Sequence, residues 1–461
     1  MVRLPSPARA GLLVVIILFP LTIVSPARAE KASGLTWVRD YGVGNAFSVQ
    51  ETRDGGFVLV GGLIVPWVLK TGSSGEPQWE RNYTPTGFGE ASAGFVQQTS
   101  DGGYLLTGSV TPTGNGFSDA WLLKLDYKGN VAWSKTYGRG NEAFSMAEQT
   151  NDGGYVAAGN TGTIGPHDSN GWVLKLDRDG NILWEEAFEG EDIHSIDQAS
   201  DGGFVVAGTV GVSKGAYAWV FKLDPTGMMV WQRAFGVTTY NPAYSVQKTH
   251  DGGYIVVGEA ITLAPYGSFL FSKTLILRLD KNGEMTWQKS YDRGGFTTPN
   301  SIQEMSDRGF IVAGVSRPTS SGTGLSGSWL VKLDSEGNLV WQKNYPYIQY
   351  ARATRGGGII AAGSSVLKLD NEGSVEGCAL GTPSNATIAS TAVTAISSVV
   401  TSVRTDTPTA RTEVTVTTNS VNVQTQCIAS QDPHDRSHTS KPITMFEHKL
   451  KPQRNSRLVL R

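Results

Sequence analysis

Acidic side chains are the first candidates for chemistry in this chain, because hydrolysis needs two acid or base groups that converge on one bond. The candidates that stand outside any repeated pattern are Asp119, Asp168, Glu189, Glu191 and Asp192. Asp119 and Asp168 each stand shortly before a tryptophan. Nothing in the spacing marks a pair among the five, so the sequence predicts no catalytic residues.

Histidines are the next candidates, as metal ligands. His167, His194 and His250 fall in three separate repeats, and the Asp-x-Asp-x-Asp pattern of a calcium loop is absent from the sequence. We therefore predict neither a metal site nor a cofactor.

A second set of aspartates belongs to a repeat of about fifty residues. Each repeat contains a Thr-x-Asp-Gly-Gly-aromatic turn, an apolar run, a Trp-x-Leu-Lys-Leu-Asp segment and a Gly-Asn-x-x-Trp-x-Lys-x-Tyr segment. The turn occurs at residues 54–57, 101–104, 152–155, 201–204, 251–254 and, in degraded form, 307–310 and 356–359. An aspartate found at the same place in every repeat is predicted to shape a turn, not to act on a substrate.

The elements between these turns are short β-type runs, which is the pattern of a β-propeller blade. In the third repeat the strands are predicted at residues 146–150, 155–159, 172–177 and 182–188. The tryptophans fall in the third and fourth strands, so we predict that they pack the blades together and do not form a ligand cage.

Strand counting predicts how the ring closes. The repeats contain seven Asp-Gly-Gly-type turns, but the first fourth-strand segment, residues 37–41, precedes all of them, and Gly377 stands where the last repeat should have its tryptophan. We predict an all-β, seven-bladed propeller over residues 30–378 whose last blade takes its outer strand from the N-terminus. An open or eight-bladed arrangement finished by residues after 378 remains the alternative.

The two ends of the chain differ in composition from the repeats. Residues 1–29 have the arginines, apolar stretch and Ala-x-Ala end of a signal peptide, which predicts a secreted or cell-envelope protein without membrane insertion after cleavage. An uncleaved N-terminal anchor is the alternative. The formal charge of −2 becomes more acidic when the arginines of this segment are removed, which argues against nucleic-acid binding.

The C-terminal part contains both cysteines, Cys378 and Cys427, and in an exported protein we expect them to form a disulfide. Residues 379–430 are rich in Ser, Thr and Val and are predicted to form a β-rich appendage or stalk. Residues 414–416 and 421–423 within it are expected to pair as a hairpin. Residues 431–461 are polar and predicted to be disordered.

The repeats over residues 37–377 resemble the secreted seven-bladed propeller repeat proteins of bacteria and archaea, in the quinoprotein-like propeller group. The resemblance implies the fold, while members of such groups include binding modules, scaffolds and enzymes. Residues 126–133 are one residue shorter than the tryptophan-docking motif of quinone dehydrogenases and lack its Thr, so a bound quinone is not expected.

Two sets of residues are left as candidates for binding. First-strand polar residues share one register and are predicted to bond neighbouring inner strands or to line the channel: Gln50, Gln97, Glu148, Asp197, Gln247, Gln303 and Arg352. The connections between strands two and three, and between strands four and one, differ from blade to blade, and we name their end of the ring the variable face. Aromatic residues in these connections are the predicted ligand-binding residues: Phe117, Tyr217, Tyr240, Tyr266, Phe269 and Phe296.

The predicted function is that of an exported, monomeric, non-enzymatic binding or scaffold protein. Its expected partner is a surface glycan or a protein, held on the variable face. The alternative is a carbohydrate-active enzyme, a glycoside hydrolase or lyase, that uses loop carboxylates on the same face.

Overall fold

The computed structural model describes residues 35–428 with gaps at 115, 139, 163–169, 190–191, 213–214, 264–268, 320–321, 323–325, 347, 379, 384–386, 390–393, 397–401, 404–408, 419–420 and 422. The predicted signal peptide, the polar tail after 430 and Tyr266 lie outside these residues. Every element described is a β-strand, and within the described residues no helix is long and apolar enough to cross a bilayer.

Seven antiparallel sheets form the blades of a β-propeller. Blade 1 contains β2 (Ala46–Glu51), β3 (Phe57–Gly61), β4 (Trp67–Thr71) and β5 (Pro77–Pro85), and blade 2 contains β6 (Phe88–Gln98), β7 (Tyr104–Pro112), β8 (Asp119–Leu125) and β9 (Val131–Tyr137). Blade 3 contains β10 (Glu142–Gln149), β11 (Tyr155–Thr161), β12 (Asn170–Leu176) and β13 (Ile182–Phe188). Blade 4 contains β14 (Asp192–Gln198), β15 (Phe204–Val212), β16 (Gly215–Leu223) and β17 (Met229–Gly236).

The remaining blades continue the same order. Blade 5 contains β18 (Ala243–Lys248), β19 (Tyr254–Leu263), β20 (Phe269–Leu279) and β21 (Met285–Asp292), and blade 6 contains β22 (Phe296–Glu304), β23 (Phe310–Arg317), β24 (Gly327–Leu333) and β25 (Leu339–Tyr345). Blade 7 contains β26 (Ile348–Ala353), β27 (Ile359–Gly363), β28 (Val366–Leu369) and, from the start of the chain, β1 (Trp37–Asp40).

The N-terminal strand closes the ring, as predicted. β1 pairs antiparallel with β28, with Trp37 opposite Lys368 and Arg39 opposite Val366. Trp37 is fully buried in a cluster that joins blade 7 to blade 1. The alternative of an open or eight-bladed arrangement is therefore wrong.

The turn aspartate holds the first two strands to the third. Asp54 accepts hydrogen bonds from the Thr52 hydroxyl and the Gly56 amide, and its carboxylate lies 2.9 Å from the ammonium of Lys70 on β4. The same ion pair recurs at Asp101–Lys124, Asp152–Lys175, Asp201–Lys222, Asp251–Arg278 and Asp307–Lys332. The basic side chains are 3–10% exposed, so each repeated aspartate neutralises a nearly buried cation.

The fourth-strand aromatics join consecutive blades. The Tyr83 hydroxyl donates to the carbonyl of Gly129 in the next blade, and a Cβ at Gly129 would lie 3.0 Å from the Trp79 ring. Gly129 has a φ of +80°, which an L side chain rarely adopts, so the turn needs glycine for two reasons. Tyr41, Tyr137 and Tyr345 make the same bond to Gly75, Gly180 and Gly373. The predicted packing role of the tryptophans is confirmed.

The first-strand polar residues bond adjacent inner strands. Gln50 accepts a 2.6 Å hydrogen bond from the backbone amide of Gln98, one blade further along. The same bond, from a backbone amide to a first-strand side chain of the preceding blade, joins Gln149 to Gln97, Gln198 to Glu148, Lys248 to Asp197 and Ala353 to Gln303. These side chains therefore hold the inner wall of the ring together.

The C-terminal segment is β-rich, as predicted, but its strands do not form a stalk. It contains β29 (Thr382–Pro383), β30 (Thr387–Ala389), β31 (Thr394–Ile396), β32 (Ser402–Val403), β33 (Thr409–Arg411), β34 (Val414–Thr418) and β35 (Gln424–Ile428). We name these seven strands the belt. Each pairs antiparallel with the outermost strand of a different blade.

The predicted pairing of residues 414–416 with 421–423 is not seen, because β34 pairs with β5 and the described Val421 and Val423 belong to no strand. Residue 422 lies outside the described residues. The physical reason is that the backbone groups at the open edge of each blade need hydrogen-bond partners. The outer strand of each blade has unpaired backbone groups, and a β-prone segment of low hydrophobicity gains more hydrogen bonds there than in a sheet of its own.

Candidate functional site

A central basin lies on the variable face, where the seven first strands begin. Its cavity has a volume of about 280 Å³. Its wall contains one bulge residue from every blade: Phe47, Gly94, Ser145, His194, Tyr244, Asn300 and Gln349. We use the name central basin for this cavity and bulge residues for these seven.

A β-bulge places each of these residues. The pairing of first and second strands skips one residue at the same point of every blade, between Ala46 and Ser48 in blade 1 and at the equivalent position in the others. The skipped residue is unpaired in the ladder, and bulges of this kind aim a side chain away from the regular sheet. Because the bulge recurs in every blade, seven bulge residues meet around one axis, six of them with a side chain and the seventh a glycine, Gly94.

The bulge residues differ in every blade, although their surroundings repeat. Phe47 supplies an aromatic ring, and Phe95, Met146 and Tyr350, each one residue beyond a bulge, add further apolar surface. Other bulge residues add polar surface, among them Asn300. The basin therefore combines apolar and hydrogen-bonding surface, and no carboxylate or ammonium is found among its described lining residues.

A polar network positions the blade 4 and blade 5 bulge residues. The Tyr244 hydroxyl donates to Glu259 at 3.1 Å, and the ring centroids of His194 and Tyr244 lie 5.5 Å apart. Burial raises the pKa of the Glu259 carboxyl, while burial lowers the pKa of His194 in spite of the nearby Asp192 carboxylate. His194 is therefore neutral at pH 7, and the basin presents an uncharged wall.

A cation lies against the apolar side of the basin. The Arg352 guanidinium is 5.3 Å from the Phe95 ring centroid and 5.6 Å from that of Tyr350, and its Nε lies 3.2 Å from the Tyr350 hydroxyl. These contacts fix the orientation of both rings before any ligand arrives.

Two neighbouring carboxyls, Glu148 and Asp197, belong to the inner strands just beyond the lining. Burial raises the pKa of Glu148, with a further contribution from Asp197, and burial raises the pKa of Asp197 to about 6. Each accepts a backbone amide of the next blade, so both have a role in blade packing.

The predicted loop aromatics do not converge on the basin. Tyr240 and Phe269 are exposed and lie together, with ring centroids 6.4 Å apart. Phe117 is exposed in another blade, Phe296 is half-buried on β22, and Tyr217 packs on the core of blade 4 beside Gly236. None of these five lines the cavity.

Sequence reasoning missed the bulge residues, although a signal for them exists. Each stands seven positions before the turn aspartate of its repeat, or before Gly356 in blade 7. No two repeats share a residue at this position, although the turn and strand residues around it recur. Variation at a register within an otherwise regular repeat is the kind of pattern that points to the basin.

The comparisons with known proteins concern the fold alone. No protein-family model and no curated protein matches the chain. The structure is similar to a protein of unknown function from Bacteroides caccae, with 13% identity, a TM-score of 0.38, and coverage of 67% of this chain and 94% of that one. It is also similar to Sqt1 from Chaetomium thermophilum, with 12% identity, a TM-score of 0.43, and coverage of 72% and 96%. For the structure of Sqt1 bound to the N-terminus of ribosomal protein L10, the identity is 13% and the TM-score 0.42, and the match covers 71% of this chain and 97% of that one.

Proposed function

We propose that this protein is an exported, non-enzymatic binding protein whose partner inserts an uncharged group into the central basin. The observation that carries the proposal is the ring of bulge residues. Seven blades with repeated packing chemistry direct seven different residues to one cavity. Variable residues on a rigid, repeated frame are typical of recognition sites.

The lining selects the chemistry of the inserted group. Aromatic faces stack against apolar surface, and amide and hydroxyl groups such as those of Asn300 and Ser145 bond to neutral polar groups. A cationic ligand would lose its hydration without meeting a carboxylate in the described lining. The Arg352 cation beside the wall already bonds the Tyr350 hydroxyl and lies against the Phe95 and Tyr350 rings, so the lining itself offers neutral contacts. A sugar ring at the end of a surface glycan and an uncharged amphipathic side chain of a protein both meet these requirements.

The alternative of a glycoside hydrolase or lyase has less support. Such an enzyme needs two carboxyl groups on either side of the scissile bond, and the described basin lining supplies none. Glu259 is the nearest carboxyl bonded to a lining residue, and it already accepts the Tyr244 hydroxyl.

Export rests on residues 1–29 and implies an oxidising compartment, in which we propose a Cys378–Cys427 disulfide. Two observations support the bond. Cys378 packs against the cluster that contains Val38, and Cys427 stands opposite Val38 in the pairing of β35 with β1. Among the described residues there is no free cysteine.

A binding screen of the mature protein against glycans and cell-surface proteins tests the proposal. Any hit is then measured by titration calorimetry with Phe47→Ala, a half-buried bulge residue, and with Tyr127→Ala as the matched control, because Tyr127 is an exposed aromatic in a turn of the opposite face. We expect Phe47→Ala to weaken binding about tenfold or more, as for an aromatic contact of 1–3 kcal/mol, and Tyr127→Ala to leave it unchanged. Equal affinity for both variants contradicts the proposed site, and hydrolysis of a bound glycan supports the alternative.

A further inference from the structure

The belt passes once around the whole propeller. Its strands pair with blades 6, 5, 4, 3, 2, 1 and 7 in that order, against the direction in which the blades follow one another in the chain. The belt starts just after Cys378, which bridges to Val375 at the end of blade 7, and it returns to blade 7 at β35. Its two ends therefore meet on the same blade.

The number of residues in the belt limits how far the belt can reach. At about 3.3 Å per extended residue, the roughly 50 residues from Cys378 to Cys427 reach about 160 Å, which is the circumference of a circle of about 26 Å radius. The belt is the fifth strand counted outward, and four spacings of about 4.8 Å account for about 19 Å of this radius.

The individual contacts of the belt are weak. Its pairings with the blades involve two to five residues each, from Lys343 and Asn344 opposite β29 to Arg81 through Pro85 opposite β34. An open belt can therefore come away one strand at a time from its free end. A closed belt has no free end, because both of its ends would be held covalently at blade 7.

We propose that the Cys378–Cys427 disulfide closes the belt into a covalent hoop around the seven blades, an inference that rests on the proposed export and disulfide but not on the binding site. The bond forms by thiol–disulfide exchange: the two thiols give up two protons and two electrons as the S–S bond forms, and the disulfide of an extracytoplasmic thiol oxidoreductase is reduced to two thiols. Cys427 reaches blade 7 only after the belt has passed the six other blades, so oxidation locks a completed ring.

Hydrogen exchange of the full mature protein tests the hoop, with oxidised wild type compared with the Cys378→Ser/Cys427→Ser and Cys378→Ala/Cys427→Ala double variants. The alanine variant controls for the polarity of serine beside an apolar cluster. In wild type we expect similar protection along the belt. In both variants we expect exchange to accelerate most at β35, by up to about 10³-fold from the closure entropy of a loop of this length. The acceleration should be progressively smaller towards β29, which pairs with blade 6 and is the first belt strand after blade 7 in the chain.

Two results overturn the inference in different ways. Free thiols in wild type, detected by alkylation and mass spectrometry, would remove the disulfide and the hoop while leaving the binding proposal intact. A bond with unchanged belt exchange in the variants would show that the belt holds without closure. If neither variant folds, wild type treated with mild reductant, with its fold checked by circular dichroism, gives the same comparison.

Discussion

Blade 7 lacks the turn carboxylate that the other blades share, and restoring it is a direct test of what that carboxylate contributes. Gly356 stands at the aspartate position, and the turn has the usual backbone bonds between Thr354 and Gly358. A Cβ at Gly356 would meet nothing within 4 Å. The basic partner is Lys368, which is half-buried and lies 5.6 Å from the Phe57 ring centroid. We therefore predict that Gly356→Asp stabilises the protein.

The magnitude follows from the other blades. A new carboxylate gains the Gly358 amide and the Thr354 hydroxyl, each worth about 0.5–1 kcal/mol net, and an ion pair with Lys368. The aspartates of the equivalent pairs are 43–70% exposed, so the ion pair is discounted to about 0.5 kcal/mol. The expected gain is about 1.5–2.5 kcal/mol, which raises Tm by about 2–3 °C in a domain of this size.

The pH dependence separates the charge from the hydrogen bonds. Burial lowers the pKa of Lys368, so its ammonium destabilises the fold at neutral pH, and a carboxylate beside it offsets that cost. The equivalent Asp54 and Asp152 have pKa values of about 2, lowered by their hydrogen bonds and lysine partners in spite of partial burial. Such a carboxyl stabilises above its unfolded pKa, and the effect is lost as pH falls from about 4 to about 2.

Urea denaturation at pH 7 and pH 3 measures the effect, and Gly356→Asn is the matched control because it keeps an acceptor for the Gly358 amide without a charge. At pH 7 the free energy of unfolding should be highest for Gly356→Asp, lower for Gly356→Asn and lowest for wild type. At pH 3 the difference between Asp and Asn should shrink. An Asp variant no more stable than the Asn variant at pH 7 refutes the role assigned to the ion pair.

Two further predictions concern the ring. Removing residues 30–41 deletes β1, which exposes β28 and detaches β35, so the truncated protein should aggregate or melt far below the full mature chain in a scattering-monitored thermal scan; equal melting temperatures would show that β1 does not close the ring. The raised pKa of Asp197, about 6, means that the folded state holds a proton which the unfolded chain has lost. Stability in urea should therefore fall as pH rises from about 4 to about 6, and Asp197→Asn should flatten part of this fall; an identical pH profile for the variant contradicts it.

The propeller could be predicted from the sequence because its determinants are local and repeated. A glycine with positive φ, an aspartate that caps its own turn and a period-two apolar pattern each act within a few residues. The N-terminal closure was equally readable, since a fourth-strand motif without a preceding blade has one place to pair.

The belt could not be predicted in the same way. Its strands are too short to carry an alternating pattern, and the partner strands lie at separations along the chain that grow from Asn344 opposite Thr382 to Val38 opposite Cys427. The available clue was length: seven short β-type runs spread over roughly 50 residues match seven blades and the perimeter of the ring. The residues of this segment are too small to build a core of their own, which favours the prediction of a stalk. The same residues can nevertheless add a fifth strand to sheets that already exist.

The same division between repeated and variable chemistry explains where a site can arise in this fold. Inner-strand glutamines, turn aspartates and fourth-strand aromatics make their bonds to backbone groups or to repeated partners, so they hold the ring whatever the neighbouring residue is. The bulge residue is the exception, because the ladder skips it and its side chain faces the axis. Substitution of a bulge residue should therefore change the lining of the basin with little effect on the stability of the ring. Seven independent positions can in this way be adapted to one ligand.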